Sequence, residues 1–211
     1  MKKPFVGLCL GLLGVLATGG CASQGEVINL AVPALRDPGN APVAKSAKGP
    51  GPKVGVVRFD DKRSNKAWLG TLTGRFGGEE RFNVRGNDAG QSVANALADY
   101  LRSKGWQASV MADSAQSSND VTLSGEIQEL SVDAKKSFFS TTLTSKTKVM
   151  VQGSNRSDGS KIRMTLTGNG EHSVFWFNQD DAQELVNDVL VESFSKLSSQ
   201  TSLENGGLKL K

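Results

Sequence analysis

The chain has little of what metal, redox and catalytic chemistry is built from. Its 211 residues include two cysteines and one histidine. Cys9 and Cys21 both precede the segment that reads as folded, so that segment has no internal disulfide and no thiolate metal site. A lone His172 excludes a histidine cluster, and no metal or other cofactor is expected. The nucleophile elbow G-x-S-x-G, the Walker loop and H-E-x-x-H are all missing. No tract of four consecutive basic residues occurs, and Lys2 and Lys3 supply half of the net charge of +4 from a segment expected to be removed. Nucleic-acid binders gather Lys and Arg on one face or stripe. Here they are scattered, so no nucleic-acid partner is expected. Aromatic residues are only 6% of the chain, which leaves the core mainly to Val, Leu, Ile and Ala. No proline follows Pro52.

What is present starts with a targeting segment. Met1-Lys2-Lys3 is a positive start, and Phe5 to Leu16 is an apolar stretch of about 12 residues, within the roughly 7–15 of a signal-peptide core. A membrane-spanning helix needs about 20. Ala17, Thr18, Gly19 and Gly20 are small and lead directly to Cys21. The arrangement resembles the lipobox of bacterial lipoproteins, with Gly20 before the cysteine and Thr18 departing from the usual Leu. The resemblance implies removal of residues 1–20 and attachment of diacylglycerol to the Cys21 thiol. A further acyl chain, palmitate in type, then goes to the freed amine. Several chains anchor durably where one is marginal. Ala22 after the cysteine implies sorting to the outer membrane, facing the periplasm. The alternative is an ordinary signal peptide, cut after Gly19 or Ala22, that releases a soluble periplasmic protein.

Residues 21–52 read as a tether. They carry Pro33, Pro38, Pro42, Pro50 and Pro52 among Ala, Gly, Ser and Lys, a composition that buries too little apolar surface to fold alone. A coil of this length reaches roughly 30 Å. One island, Val27 to Val32, alternates and fits a short edge strand closed by Pro33.

A single domain is expected over 53–200, with a flexible tail over 201–211. Val54–Phe59 is nearly all apolar, as in a strand covered on both faces. A long glycine-rich segment follows to Gly86, with a short strand at Arg81–Val84. Asp88 and Gln91 fit a capping box before a helix presenting Val93, Leu97, Tyr100 and Leu101 and stopping at Gly105. Trp106–Met111 returns as a strand. Three longer strands follow at Val121–Ala134, Thr141–Gln152 and Lys161–His172. In the second, Leu143, Ser145, Thr147, Val149 and Val151 share one face opposite Lys146 and Lys148. Such one-sided patterns fit an antiparallel sheet with one wet face. Ala182, Leu185, Val186, Val189, Leu190, Phe194 and Leu197 then form a helical stripe, with Asp180 and Asp181 at the positive end of its dipole. The fold class is α/β, of the two-layer α+β kind. A mixed, largely antiparallel sheet carries two helices on one face, in the order β-α-β-β-β-β-α.

The order resembles the YajG family of bacterial lipoproteins over nearly the whole chain. The features that carry it are the cysteine, Ile28-Asn29-Leu30 before the prolines, and a strand closing on Asp61-Lys62-Arg63. The helix ending Leu101-Arg102-Ser103-Lys104-Gly105-Trp106, the three long strands and the last helix complete it. The resemblance implies a signal peptide, a lipid anchor and an envelope location, and no defined chemistry.

Four groups merit a chemical reading. Asp60 and Asp61 offer fewer convergent oxygens than a hard cation requires, so the favoured reading is an Asp–Arg pair with Arg63 that orders the loop. Phe138 and Phe139 sit beside Lys135 and Lys136 between two strands, where turns are normally polar. They either contact a lipid surface or a partner's pocket, or fold back over the sheet edge. Phe175-Trp176-Phe177 links a strand to a helix and is expected in the core. His172, Ser173 and Asp180 make only a weak hydrolytic trio, and Gly168-Asn169-Gly170 reads as a bend in a strand. No catalytic residue is assigned. The expected function is a membrane-anchored, non-catalytic binding or assembly module with an envelope protein as partner. The alternative is a periplasmic carrier or sensor of a lipidic or cell-wall ligand, with a hydrolase ranking last. A large apolar cavity between sheet and helices marks the carrier.

Overall fold

A computed structural model describes residues 27–30, 51–112, 118–204 and 207–211. The signal segment, Cys21 and most of the tether lie outside the described residues. In chain order the elements are β1 (Val27–Leu30), β2 (Lys53–Val57), β3 (Asp60–Asp61), β4 (Gly70–Thr73), β5 (Glu79–Val84) and α1 (Ala89–Ser103). There follow β6 (Gln107–Met111), β7 (Val121–Lys136), β8 (Thr141–Asn155), β9 (Lys161–Val174), α2 (Gln179–Gln200), β10 (Thr201–Glu204) and β11 (Gly207–Leu210).

The long strands form because their sequences alternate without interruption. In β8 every second residue from Thr141 to Asn155 is buried, and Lys146 and Lys148 face outward as their pattern predicts. β7 pairs antiparallel with β8 from Val121↔Asn155 to Lys136↔Thr141, with a bulge between Ile127 and Glu129, and β8 pairs antiparallel with β9. The other edge of β7 is shared by three short parallel partners: β2 at Val121–Leu123, β3 at Glu126–Ile127 and β4 at Ala134–Lys135. β6 extends the sheet from β2, while β5 and then β1 extend it from β4. The sheet therefore forks along one strand and curls, so that α2 touches β9, β8, β7 and β1.

Both helices bury the predicted stripes. Val93, Leu97, Tyr100 and Leu101 of α1 are buried, as are all seven apolar stripe residues of α2. Each such Leu, Val or Phe contributes roughly 2 kcal/mol by leaving water. The helices meet where Tyr100 packs on Phe194, ring centres 5.8 Å apart, and the Tyr100 hydroxyl shares a 3.1 Å hydrogen bond with Ser198 Oγ. At the start of α1, Asp88 accepts from the Gln91 amide at 2.8 Å. Only this half of the expected box forms, because the Gln91 side chain donates to Asn95 instead. The full box is at α2, where Asn178 and Asp181 accept from each other's backbone N–H.

Three expectations change. The glycine-rich segment before Gly86 holds β3 and β4 as well as β5, strands too short to show a period of their own. Residues 201–211 are not a loose tail: β10 and β11 pair as a hairpin and bury Leu208 completely. Gly168 and Gly170 do not bend β9, which keeps its register across them. They face α2, and a Cβ on Gly168 would meet the Val189 carbonyl oxygen at 2.4 Å. Glycine there lets the helix lie directly on the strand.

Candidate functional site at the aromatic end of the sheet

One end of the long strands carries three chain reversals, each bearing exposed aromatic rings. The first joins β4 to β5. Gly74 N donates to Gly78 O at 2.9 Å, and Gly77 and Gly78 both have φ of +89°, a conformation that side chains with a Cβ rarely adopt. This tight loop pushes Phe76 outward. The second is the four-residue tip between β7 and β8. It is closed by a 2.7 Å bond from Ser137 N to Ser140 O, with Phe138 and Phe139 at its apex, ring centres 6.3 Å apart. The third follows Val174, which pairs with Thr141 at the last rung of the sheet. Here Phe175 and Trp176 stack edge to face at 5.1 Å.

Phe76, Phe138, Phe139, Phe175 and Trp176 are between 64% and 90% exposed. An open groove of about 330 Å³ lies among Phe138, Phe139, Trp176, Phe177, Arg75 and Lys136. The Arg75 guanidinium lies over the rings of Phe76 and Phe138, and Lys136 Nζ is 5.9 Å from the Phe177 ring centre. Cations over exposed ring faces are held by about 0.5–1 kcal/mol each. Lys135 is exposed beside them. Chemically the end is an apolar surface edged with positive charge.

Phe138, Phe139 and Lys136 are thus brought together at the groove, which Lys135 does not line, and the two phenylalanines do not fold back over the sheet. The core expectation for Phe175-Trp176-Phe177 fails for the first two residues. Only Phe177 turns inward, against Phe82 at 6.1 Å. The link must pass from the last sheet rung to Asn178 at the helix start, and one of its three side chains finds the interior. Sequence reasoning alone misses Phe76. Its signal was an aromatic residue among Gly74, Gly77 and Gly78, where burial is improbable.

The other singled-out residues lie elsewhere. Asp61 and Arg63 form the expected pair: Arg63 Nε donates to Oδ1 at 3.0 Å and its terminal nitrogen to Oδ2 at 2.8 Å. The buried guanidinium also reaches the Trp68 and Leu130 carbonyls, each at 3.4 Å, so the pair ties the loop to β7. Burial pushes the Asp61 carboxyl up, but the bonds from Arg63 outweigh it and hold the group below its ordinary value. Asp60 is exposed on β3. His172 and Ser173 are successive residues of β9 and so point to opposite faces, and Ser173 Oγ pairs with Thr142 Oγ1 at 3.3 Å. Asp180 lies in the first turn of α2. Among the described residues no three His, Cys, Asp or Glu side chains gather as metal ligands, and no helix is long and apolar enough to cross a membrane.

No family model matches the chain, and no curated protein matches it. Several solved structures are similar in outline. Protein XCC0632 from Xanthomonas campestris gives a TM-score of 0.49 at 10% identity, over 82% of this chain and 92% of its own. The PelC dodecamer from Paraburkholderia phytofirmans gives 0.39 at 19% identity, over 69% and 90%. Lipoprotein GNA1162 from Neisseria meningitidis gives 0.37 at 12% identity, over 66% and 95%. Likeness at these levels carries nothing about activity or partners.

Proposed function

We propose that the chain is a lipid-anchored lipoprotein of the bacterial envelope, of the YajG type, acylated at Cys21 and facing the periplasm from the outer membrane. Its domain works by binding or assembly, not catalysis, and the aromatic end is its contact surface. The observation that carries the binding reading is the gathering of five exposed rings and two cations at a single end. Large exposed apolar patches mark interaction surfaces, and aromatic residues and Arg are what contact cores concentrate. The interior supports surface binding over a carrier. Leu185, Val189 and Phe194 fill the sheet–helix interface, and Gly168 has no space even for a methyl group.

The anchor is tested by Cys21→Ser. The variant should leave the membrane fraction for the soluble periplasmic fraction, and unchanged fractionation defeats the anchoring reading.

A further inference from the structure

The sheet register shows where the N-terminal chain enters the domain. β1 pairs with β5 in parallel, with Val27 level with Arg81 and Leu30 level with Val84. β5 runs away from the Gly74–Gly78 loop that holds Phe76, so β1 runs away from it as well. Val27, the first residue of β1, therefore lies toward the aromatic end. Cys21 is six residues before Val27, and a chain of that length spans at most about 20 Å. Because β1 is paired into the sheet, only residues 21–26 separate the start of the sheet from the expected anchor position. The far end of the sheet is out of reach: β8 has 15 residues, about 50 Å of strand at roughly 3.3 Å each.

Resting on the reading of Cys21 as the lipid anchor, we infer that the aromatic end lies in the headgroup layer of the bilayer that holds that anchor. Phe138, Phe139, Phe175 and Trp176 meet the acyl boundary, and Arg75, Lys135 and Lys136 meet anionic headgroups. Trp is suited to this layer because its ring is apolar and its N–H is polar. Basic side chains at its edge gain from anionic lipid. The acids of this end are Glu79 and Glu80 at the start of β5, Asp133 three residues before the end of β7, and Asp180 and Asp181 in the first turn of α2. With the sheet standing on this end, the far turn at 156–160 points away from the lipid and the wet face bearing Lys146 and Lys148 looks sideways, clear of the bilayer, where a protein partner is free to meet them.

The test uses the mature, acylated full chain in vesicles of phosphatidylethanolamine and phosphatidylglycerol with brominated acyl chains. Bromine quenches only indoles at the membrane. Part of the tryptophan emission should be quenched, and that part should vanish in Trp176→Phe, a change at an 82% exposed position that leaves the fold alone. In the Trp176→Phe background, Lys161→Trp at the far end should stay unquenched. A chain that floats with the vesicles but shows no Trp176 quenching overturns the orientation and leaves the aromatic end to a protein. Quenching at position 161 overturns it equally. A chain that fails to float removes the anchor, and this inference falls with it.

Discussion

The two ends of the long strands are finished in opposite ways. At the 136–141 end the tips are aromatic and open, with Phe139 77% exposed and no part of the described chain laid over it. At the 155–161 end the chain seals itself. Asn155 is buried, accepts from the Leu208 amide at 2.8 Å and donates to the Leu208 carbonyl at 2.9 Å, so one side chain pairs with β11 as a strand would. It also donates to Ser160 Oγ at 2.9 Å, and the Leu208 side chain is fully buried. A fold that can close one end with a polar latch and a single leucine has the means to close the other. Leaving five rings in water costs solubility, and that cost is offset only by something outside the domain that covers them.

The sealed end should be the expensive one to damage. Leu208→Ala leaves a cavity and is expected to cost about 2–5 kcal/mol. At about 2–4 °C per kcal/mol for a domain of this size, the melting temperature falls by roughly 4–20 °C. A melt within a degree or two of the parent would mean the hairpin is dispensable. Asn155→Ala comes next. It strands the Leu208 N–H and C=O without partners in a buried place, for about 2–3 kcal/mol. Restoring the amide with Gln should recover little, because the longer side chain cannot meet both groups in the same space.

Much of this architecture was legible in the residues. The α2 stripe from Ala182 to Leu197 and the alternation of β8 each span enough residues to reveal a period, and each appears where expected. β3 is two residues long and exists because the edge of β7 offers hydrogen bonds at Glu126 and Ile127; no pattern of its own announces it. The C-terminal hairpin did carry a signal. Asn205-Gly206 is a strong turn dipeptide between short alternating runs. Gly168 and Gly170 were also readable, since alternation places them on the same face as Met164 and Leu166, the face a helix must cover. Half of the candidate site was legible at Phe138 and Phe139. Phe175 and Trp176 were not, because an apolar run before a helix looks the same whether it enters the core or crosses its rim.

Acid offers a gentler test of the sealed end. Asp158 accepts from the Ser160 hydroxyl at 2.6 Å and from its amide at 2.9 Å, and these bonds hold its carboxyl below the usual range. A depressed carboxyl binds fewer protons folded than unfolded. Its stabilising effect is therefore present above the unfolded value of about 3.9 and lost as pH falls through the lower folded value. Ser160 is also the hydroxyl that Asn155 uses. The melting temperature of Asp158→Ala should lie slightly below the parent near neutral pH, and the gap should close below about pH 4. A gap that stays constant across that range would show that the ionised carboxylate is not what stabilises the turn.

The smallest effects belong to the open end, and their smallness is what matters. Phe138→Ser removes a ring under the Arg75 guanidinium, a contact worth about 0.5–1 kcal/mol at an exposed site. Phe139→Ser removes a ring lined by solvent and by Phe138, so its stability should move by less than about 0.5 kcal/mol. Thermal melts of the two variants beside Leu208→Ala make the comparison direct. Three leucine- or phenylalanine-sized deletions at the two ends of the same strands should differ severalfold in cost. If Phe139→Ser lowered the melt as far as Leu208→Ala, the ring would have to be packed in the folded chain. The two ends would then be sealed alike, and the case for an outside surface covering the aromatic end would lose its footing. If the melts separate as expected while membrane contact by Trp176 weakens in the Phe138→Ser and Phe139→Ser double variant, then those rings contribute to binding and not to folding. Exposed aromatic residues with that pair of properties are a surface kept for contact.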